Sequence, residues 1–366
     1  MSEAEAGRTA AVPPPIDVEE QLRALARVTP GATPVISVYL DTRWSDEHAR
    51  ERVRVFLKTE ARKAGAMAAG ALDADLAWIA AQGDRLVAQE LHPEAQGVAM
   101  FASGGRGLRE TIALGVRTED RFVVADTPRL RPLLEALAQV PPAVVLFVDG
   151  ESARLVTLTA HGVGEVATLE SGDVVGHHRR GGWAMLLQSR YQRHIQVHRA
   201  RHFEAVARAL AELVLSQGIR AVVLAGEPRN VAVFRHQLPP AATGRVAGAI
   251  AGARYEPASV LAERALDLLR HTAVSAAAAT VDTVLVDAAA GGRAVAGVDA
   301  TVEAVNRGTV DRLYFLRSFE EAGQVCPGCG ALQKPVGACR WCGKTGIPTD
   351  LPEAMLQRVV AAGGEV

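Results

Sequence analysis

The sequence predicts an α/β protein built from three successive units. Apolar runs with strand-like spacing alternate with longer amphipathic helical patterns along the whole chain. A length of 366 residues at 49% hydrophobic content is enough for two or three separate cores. Composition breaks at Pro141-Pro142 and at Pro257 divide the chain into a first unit at 16–140, a second at 141–256 and a third at 257–366.

Residues 1–15, MSEAEAGRTAAVPPP, are rich in Ala, Pro and Glu and are expected to form a disordered tail. They lack the charged-then-apolar order of a signal peptide, and no run of about twenty apolar residues is free of polar interruption. A cytoplasmic protein with no membrane partner is the expectation. In the first unit, IDVEEQLRALARV reads as a short helix and VISVYLD as a strand. Two long helices follow, from about Ser45 to Ala64 and from about Asp73 to Leu91. Strands at GVAMFAS, LRETIALG and RFVVAD and a helix after Pro132 complete the unit.

The second unit opens with AVVLFVDGESARLVTLTAHGVGEVATLES, three β-rich runs separated by turn signals, which predicts an antiparallel meander. AVVLAG at 221–226 reads as a buried strand, with further helix after it. Between them lies GHHRRGGWAMLLQSRYQRHIQVHRARH, residues 176–202, with no acid between Asp173 and Glu204. Gly181 and Gly182 lack Cβ and let the main chain approach a partner closely, which suits a loop tip. Six arginines and five histidines stand in the 26 residues from His177 to His202, enough to neutralise several phosphates. Net charge is −1, so this is one basic patch on a balanced chain rather than a generally basic binder. The residues alone fit both a nucleic-acid-facing surface and a solvated basic helix after an ordinary glycine turn. Leu186, Leu187, Tyr191, Ile195, Phe203, Val206, Leu210 and Leu213 form a helical stripe that packs on the sheet and leaves the cations outward. His194, His198 and His202 recur at spacings of four and share a helical face, but the neighbouring arginines would repel a metal ion.

The third unit begins with a long alanine-rich helix after Pro257, followed by GVDATVEAVNRG as a glycine-closed helix and LYFL as a buried strand. All four cysteines lie in Cys326-Pro-Gly-Cys329 and Cys339-Arg-Trp-Cys342, nine residues apart, each pair followed by glycine. This is the pattern of a closed tetrahedral zinc site, Zn2+ with a structural role, in a ribbon spanning 324–345; a cytoplasmic setting argues against disulfides. LPEAMLQRVVAAGGEV reads as a last helix and the start of a strand.

The run HHRRGGW followed by RYQRH resembles the middle domain of the eukaryotic and archaeal class I peptide-chain release factors and their bacterial homologues, including peptidyl-tRNA hydrolases of ribosome quality control. VISVYLDTRWSDEHARERVRVFLKTEARKAG resembles the N-terminal domain of the same family. The helix, glycine and strand unit of the third part resembles its C-terminal domain. The resemblance implies a three-domain release-factor-like architecture, with the zinc ribbon inserted in an L7Ae-like α/β domain that is shortened at its end.

In the family a Gly-Gly-Gln tip enters the peptidyl transferase centre. The implied catalytic set here is Gly181, Gly182, Trp183 and Gln188, with Trp183 occupying the place of the family's glutamine and Gln188 as its substitute. The implied RNA-binding set is His177, His178, Arg179, Arg180, Arg190, Arg193, His194, His198, Arg199 and Arg201. The Asn-Ile-Lys-Ser loop that reads stop codons has no counterpart in LKTEARKAGAMAAGALDAD, so no decoding is expected. Two functions follow: hydrolysis of the peptidyl-tRNA ester in rescue or quality control, or a non-catalytic hibernation or protection factor occupying the ribosomal A site. The implied partners are ribosomal RNA and peptidyl-tRNA, with a translational GTPase as one the family allows; nothing such as a heptad repeat argues for assembly, so a monomer is expected.

Overall fold

The computed structural model describes residues 18–366 except 32, 45–46, 69, 94, 140, 160–161, 171–183 and 335–336; within helices and strands, the side chains of 19, 165 and 184–196 are not described. The architecture is mixed α/β, as expected. Its first part runs α1 (Val18–Ala26), β1 (Val35–Asp41), α2 (Glu47–Ala68), α3 (Asp73–Val87), β2 (Gly97–Ser103), β3 (Leu108–Leu114), β4 (Arg121–Ala125) and α4 (Arg131–Gln139). The four strands pair antiparallel in the order β3-β2-β1-β4. Successive side chains on a strand point to opposite faces. Ile36, Val38 and Leu40 therefore meet Val53, Leu57, Ile79 and Leu86 of α2 and α3, while Tyr39 and Phe101 enter a second core on the far side. Both faces of β1 are covered, which is why its sequence is a nearly unbroken apolar run.

The second part comprises β5 (Ala143–Val148), β6 (Ser152–Thr159), β7 (Gly162–Glu170), α5 (Ala184–Ser216), β8 (Ala221–Ala225), α6 (Pro228–Arg235), α7 (Pro240–Thr243), β9 (Val246–Ile250) and α8 (Ala258–Ala289). The sheet order is β7-β6-β5-β8-β9, with the expected meander antiparallel and β5, β8 and β9 parallel. Strand β9 was not legible beforehand. The apolar residues of RVAGAI are few and broken by glycine, and the strand forms because parallel pairing with β8 satisfies its backbone.

On one face Val144, Leu146, Val148, Val222 and Leu224 pack against Phe203, Val206, Leu210 and Leu213 of α5, the second half of the expected stripe. On the other face Val145, Phe147 and Val223 pack with α4 and with Leu261, Ala262, Ala265, Leu266 and Leu269 of α8. The first half of α8 thus lies in a layer under the central sheet. Helix α8 is long and apolar enough to cross a membrane by length and composition, although its opening turns are buried in protein. From Val274 onward it is mainly exposed.

The last part contains α9 (Val298–Arg307), β10 (Ala322–Val325), β11 (Leu332–Gln333), β12 (Ile347–Asp350) and α10 (Leu351–Ala361). The short strands pair antiparallel in the order β11-β10-β12 over a small core of Val302, Val305, Leu332, Leu351 and Met355. Helix α9 closes at Gly308 in the left-handed conformation, as its sequence requires. The expected strand at LYFL does not form. Leu313 N donates to Glu365 O at 2.9 Å beside the single bridge of Arg312 to Glu365, and Leu313 and Phe315 pack inward while Leu316 is exposed, so the alternation of a strand is present without its ladder.

The first two sheets come together at a glycine contact. A Cβ on Gly115 would lie 2.6 Å from Gly162 N and 2.7 Å from Gly162 Cα, a separation that backbone atoms cannot relieve without shifting a sheet. Gly115→Ala should therefore lower stability by about 1–3 kcal/mol, the range for overpacking. Equilibrium denaturation in urea checks this, and an unchanged midpoint would show that the contact yields freely.

Candidate functional site

Helix α5 has 33 residues and is about 50 Å long, carrying the basic segment at its N-terminal end and its anchor on the sheet at the other. The expected tip, with His177, His178, Arg179, Arg180, Gly181, Gly182 and Trp183, lies outside the described residues. Gln188, Arg190, Arg193 and His194 lie within α5, where only the backbone is described.

From residue 197 the side chains are placed. Arg201 is exposed and His198 half-buried. The expectation that the cations face outward fails at Arg199 and His202. Arg199 Nη2 donates to Asn230 Oδ1 at 3.0 Å, and its guanidinium lies 5.2 Å from the Phe203 ring centroid. His202 is buried, with its ring against Phe203 and hydrogen-bonded to the Ser152 backbone. Burial lowers the His202 pKa more than Ser152 and Asp149 raise it, so the ring is neutral near pH 7. His202 is turned into the protein and does not continue an outward row of histidines. The reason is geometric: three residues after Arg199 and next to Phe203, it falls on the edge of the stripe that the sheet covers.

The β5–β6 turn holds this part of α5 in place. Asp149 Oδ1 accepts from the N–H groups of Glu151 at 2.8 Å and Ser152 at 2.7 Å. Arg254, in the segment after β9, forks onto both Asp149 oxygens at 3.0 Å and reaches Glu151 at 3.0 Å. Burial acts to raise the Asp149 pKa, but the hydrogen bonds from Arg254 and the two N–H groups outweigh it and hold the carboxyl below its ordinary value. The buried Ser152 Oγ, Arg199 Nε and His202 Nε2 have no hydrogen-bond partner among the described residues. Sequence inspection missed Asp149, Asn230 and Arg254. The Asp-Gly turn at 149–150 signals a hairpin and GEPRN at 226–230 a turn that could cap the next helix, and neither signals a clasp.

The four cysteines converge as expected. Their sulfurs lie within 4.8 Å of one another, with Cys326–Cys342 at 3.2 Å and Cys329–Cys339 at 3.5 Å. A tetrahedron with metal–sulfur bonds of about 2.3 Å has edges near 3.8 Å, so the set fits a metal ion of zinc's kind. Each knuckle turns on a glycine at positive φ, Gly330 at 74° and Gly343 at 75°. Gly330 N donates to Cys326 O and Gly343 N to Cys339 O, both at 2.9 Å. N–H groups directed at the Cys326 sulfur, those of Cys329 and Gly328 among them, lower its pKa and favour the thiolate there, while the neighbouring sulfurs hold Cys329 and Cys342 up.

Two buried glutamines pin the second knuckle. Gln324 exchanges hydrogen bonds of 2.7 and 2.6 Å with Gly337, and Gln333 bonds Ala338 O at 3.0 Å and Arg340 N at 3.1 Å. Asn306 ties the ribbon to α9 through Leu332, at 2.7 and 2.8 Å.

Residues 128–277 match the model of bacterial archaeo-eukaryotic release factor family 10. This segment is release-factor-like. It spans the central sheet, all of α5 and the first half of α8. No curated protein sequence matches the chain. Among solved structures, the chain is similar to the archaeal translation termination factor aRF1, at 16% identity over 82% of this chain and 86% of that one, with a TM-score of 0.28. Pelota of Archaeoglobus fulgidus is similar at 16% identity over 74% and 71%, with a TM-score of 0.32. S. cerevisiae Dom34, a translation termination-like factor, is similar at 10% identity over 70% and 65%, with a TM-score of 0.37.

Two outcomes follow from the release-factor-like segment and the ribbon. Arg254→Ala removes three charged hydrogen bonds from the clasp and should cost about 1.5–3 kcal/mol in urea denaturation, against no change if the clasp is only a surface pairing. Metal analysis of the purified chain should give one zinc per molecule. A strong chelator should then release it and abolish amide protection at Gly330 and Gly343 while leaving the central sheet protected; protection that survives complete metal removal would show that the ribbon folds without it.

Proposed function

We propose that the protein is a ribosome-associated, release-factor-like hydrolase of the peptidyl-tRNA ester, acting in rescue or quality control without decoding stop codons. The match of residues 128–277 carries this reading, because the matched segment contains Gly181 and Gly182 immediately before the basic helix. A peptidyl-tRNA ester is already activated and already held by the ribosome. An inserted loop therefore needs only to orient a water and offer backbone N–H groups to the oxyanion. In this reading Gly181 and Gly182 allow the close approach, the N–H of Trp183 is a donor, and Gln188 supplies the amide that holds the water.

His177, His178, Arg179, Arg180, Arg190, Arg193, His194, His198 and Arg201 meet RNA phosphates, whereas Arg199, engaged by Asn230, steadies the helix. The anchored C-terminal part of α5 gives the loop a rigid base. Zn2+ at Cys326, Cys329, Cys339 and Cys342 is structural, since four thiolates leave no open coordination position. Ribosomal RNA and peptidyl-tRNA are the partners, and the work is done in the cytoplasm.

A second reading is favoured by Trp183, whose indole cannot replace an amide, and by the place of Gln188, four residues and about 6 Å of rise beyond the start of α5. On that reading the protein occupies the A site without breaking a bond. Single-turnover release of labelled peptide from stalled ribosomal complexes separates the two. Hydrolysis predicts release by wild type that falls at least about a hundredfold in Gly182→Ala and Gln188→Ala, the scale of losing an oxyanion donor or a positioned water. Binding without release removes the hydrolase and leaves the occupying factor.

A further inference from the structure

Residues 127–131, a strap that follows β4 and ends on the first residue of α4, join the first sheet to the C-terminal part of the chain. Arg129 N donates to Ser37 Oγ at 3.0 Å, and Arg129 O accepts from the Tyr39 hydroxyl, both on β1. From the other side, Gln357 Nε2 of α10 donates to Pro128 O at 2.6 Å and to Thr127 Oγ1 at 2.9 Å. Arg129 Nη1 pairs at 2.7 Å with Asp350, whose carboxylate caps α10 by accepting from Glu353 N at 3.2 Å. Leu356 and Val360 carry α10 into the same core as Leu22 and Leu25 of α1.

At the centre of this joint stands Glu353, 4% exposed, with Oε1 accepting from Leu130 N at 2.6 Å. A glutamine would satisfy that N–H equally well and bring no charge. The charged and titratable groups facing the joint are Arg129 from the strap, Asp350 at the head of α10 and Tyr39 from β1, with Arg121 and Glu135 facing Tyr39 in turn. No cation touches the Glu353 carboxyl directly among the described residues; Arg129 is bonded to Asp350 instead.

We propose that Glu353 is a proton-operated latch between the strap and α10. With the carboxyl neutral, α10 and the ribbon it supports stay seated on the strap; with the carboxyl ionised, the seat loosens and α10 lifts from residues 127–131. Burial is the largest influence on Glu353 and raises its pKa from 4.5 to about 7, with Asp350 adding to the rise, while the N–H groups of Leu130 and Arg131 and the charge of Arg129 oppose without cancelling it. The seated form therefore binds the proton more tightly than the open form. Seating is strongest below pH 4.5, weakens as the pH rises, and has lost this contribution above about pH 7.

Hydrogen exchange on the full-length, metal-loaded chain tests this. After correction for intrinsic rates, protection at Leu130 N and along α10 should fall about tenfold between pH ~6 and pH ~8.5 relative to the amides of β2. Glu353→Gln should show no such fall. A wild type whose protection is equal at the two pH values, or a Gln variant that keeps the fall, overturns the latch. Should Glu353→Gln fail to fold, Asp350→Asn keeps the cap and removes one neighbouring negative charge. The midpoint of the fall must then move to lower pH, and an unmoved midpoint overturns the proposal as surely.

Discussion

A sheet with apolar residues on both faces has to be covered twice, and the rest of this molecule is arranged by how the central sheet meets that requirement. Val144, Leu146 and Val148 point to α5, whereas Val145 and Phe147 point to α4, α8 and the first sheet. Parallel pairing of β5, β8 and β9 forces long crossovers, and α5 is one of them. The helix that bears the basic segment is thus held by the same contacts that bury half the sheet. Its position is a by-product of core packing, and Asp149, Arg254 and Asn230 refine it.

Much of this was legible in the sequence. VISVYLD and AVVLFV are strands because their runs are short, rich in β-branched residues and bounded by turns, whereas GVAMFAS, with Val98 as its one β-branched residue, is a short apolar run buried along its whole length. Strand β9 and the segment after Leu313 went the other way. The first is too glycine-broken to announce itself, and the second has the composition of a strand but makes one isolated bridge, Arg312 to Glu365, among the described residues. Local pattern cannot show which backbone will find a partner.

The functional residues divide in the same manner. Chemistry that depends on spacing within one segment was readable: the four cysteines meet because two short knuckles present them, and the glycines that make those turns stand beside them in the chain. Chemistry assembled from distant segments was not. Asp149 and Arg254 lie 105 residues apart, and Leu130 and Glu353 lie 223 apart, so neither pairing leaves a trace in local pattern. The inward turn of Arg199 and His202 was missed for a related reason, since a basic residue at the margin of an apolar stripe can face either way until the partner surface is known.

The outer half of α8 has a practical meaning of its own. Beyond Leu269 it is made largely of alanine and valine with little packed against it, and alanine is the residue best able to keep a helix formed without tertiary support. The turn at its far end is self-contained: Asp287 Oδ2 accepts from Ala294 N at 2.9 Å, and Gly292 N bonds Asp287 O at 2.9 Å. Residues 291–296, which follow the end of this rod, stand roughly 30 Å along its axis from Leu269. A fluorophore or an affinity tag spliced in at residues 291–293, all exposed, would stand on the surface, which makes this turn a natural handle for immobilising the protein or for measuring its distance from a bound particle.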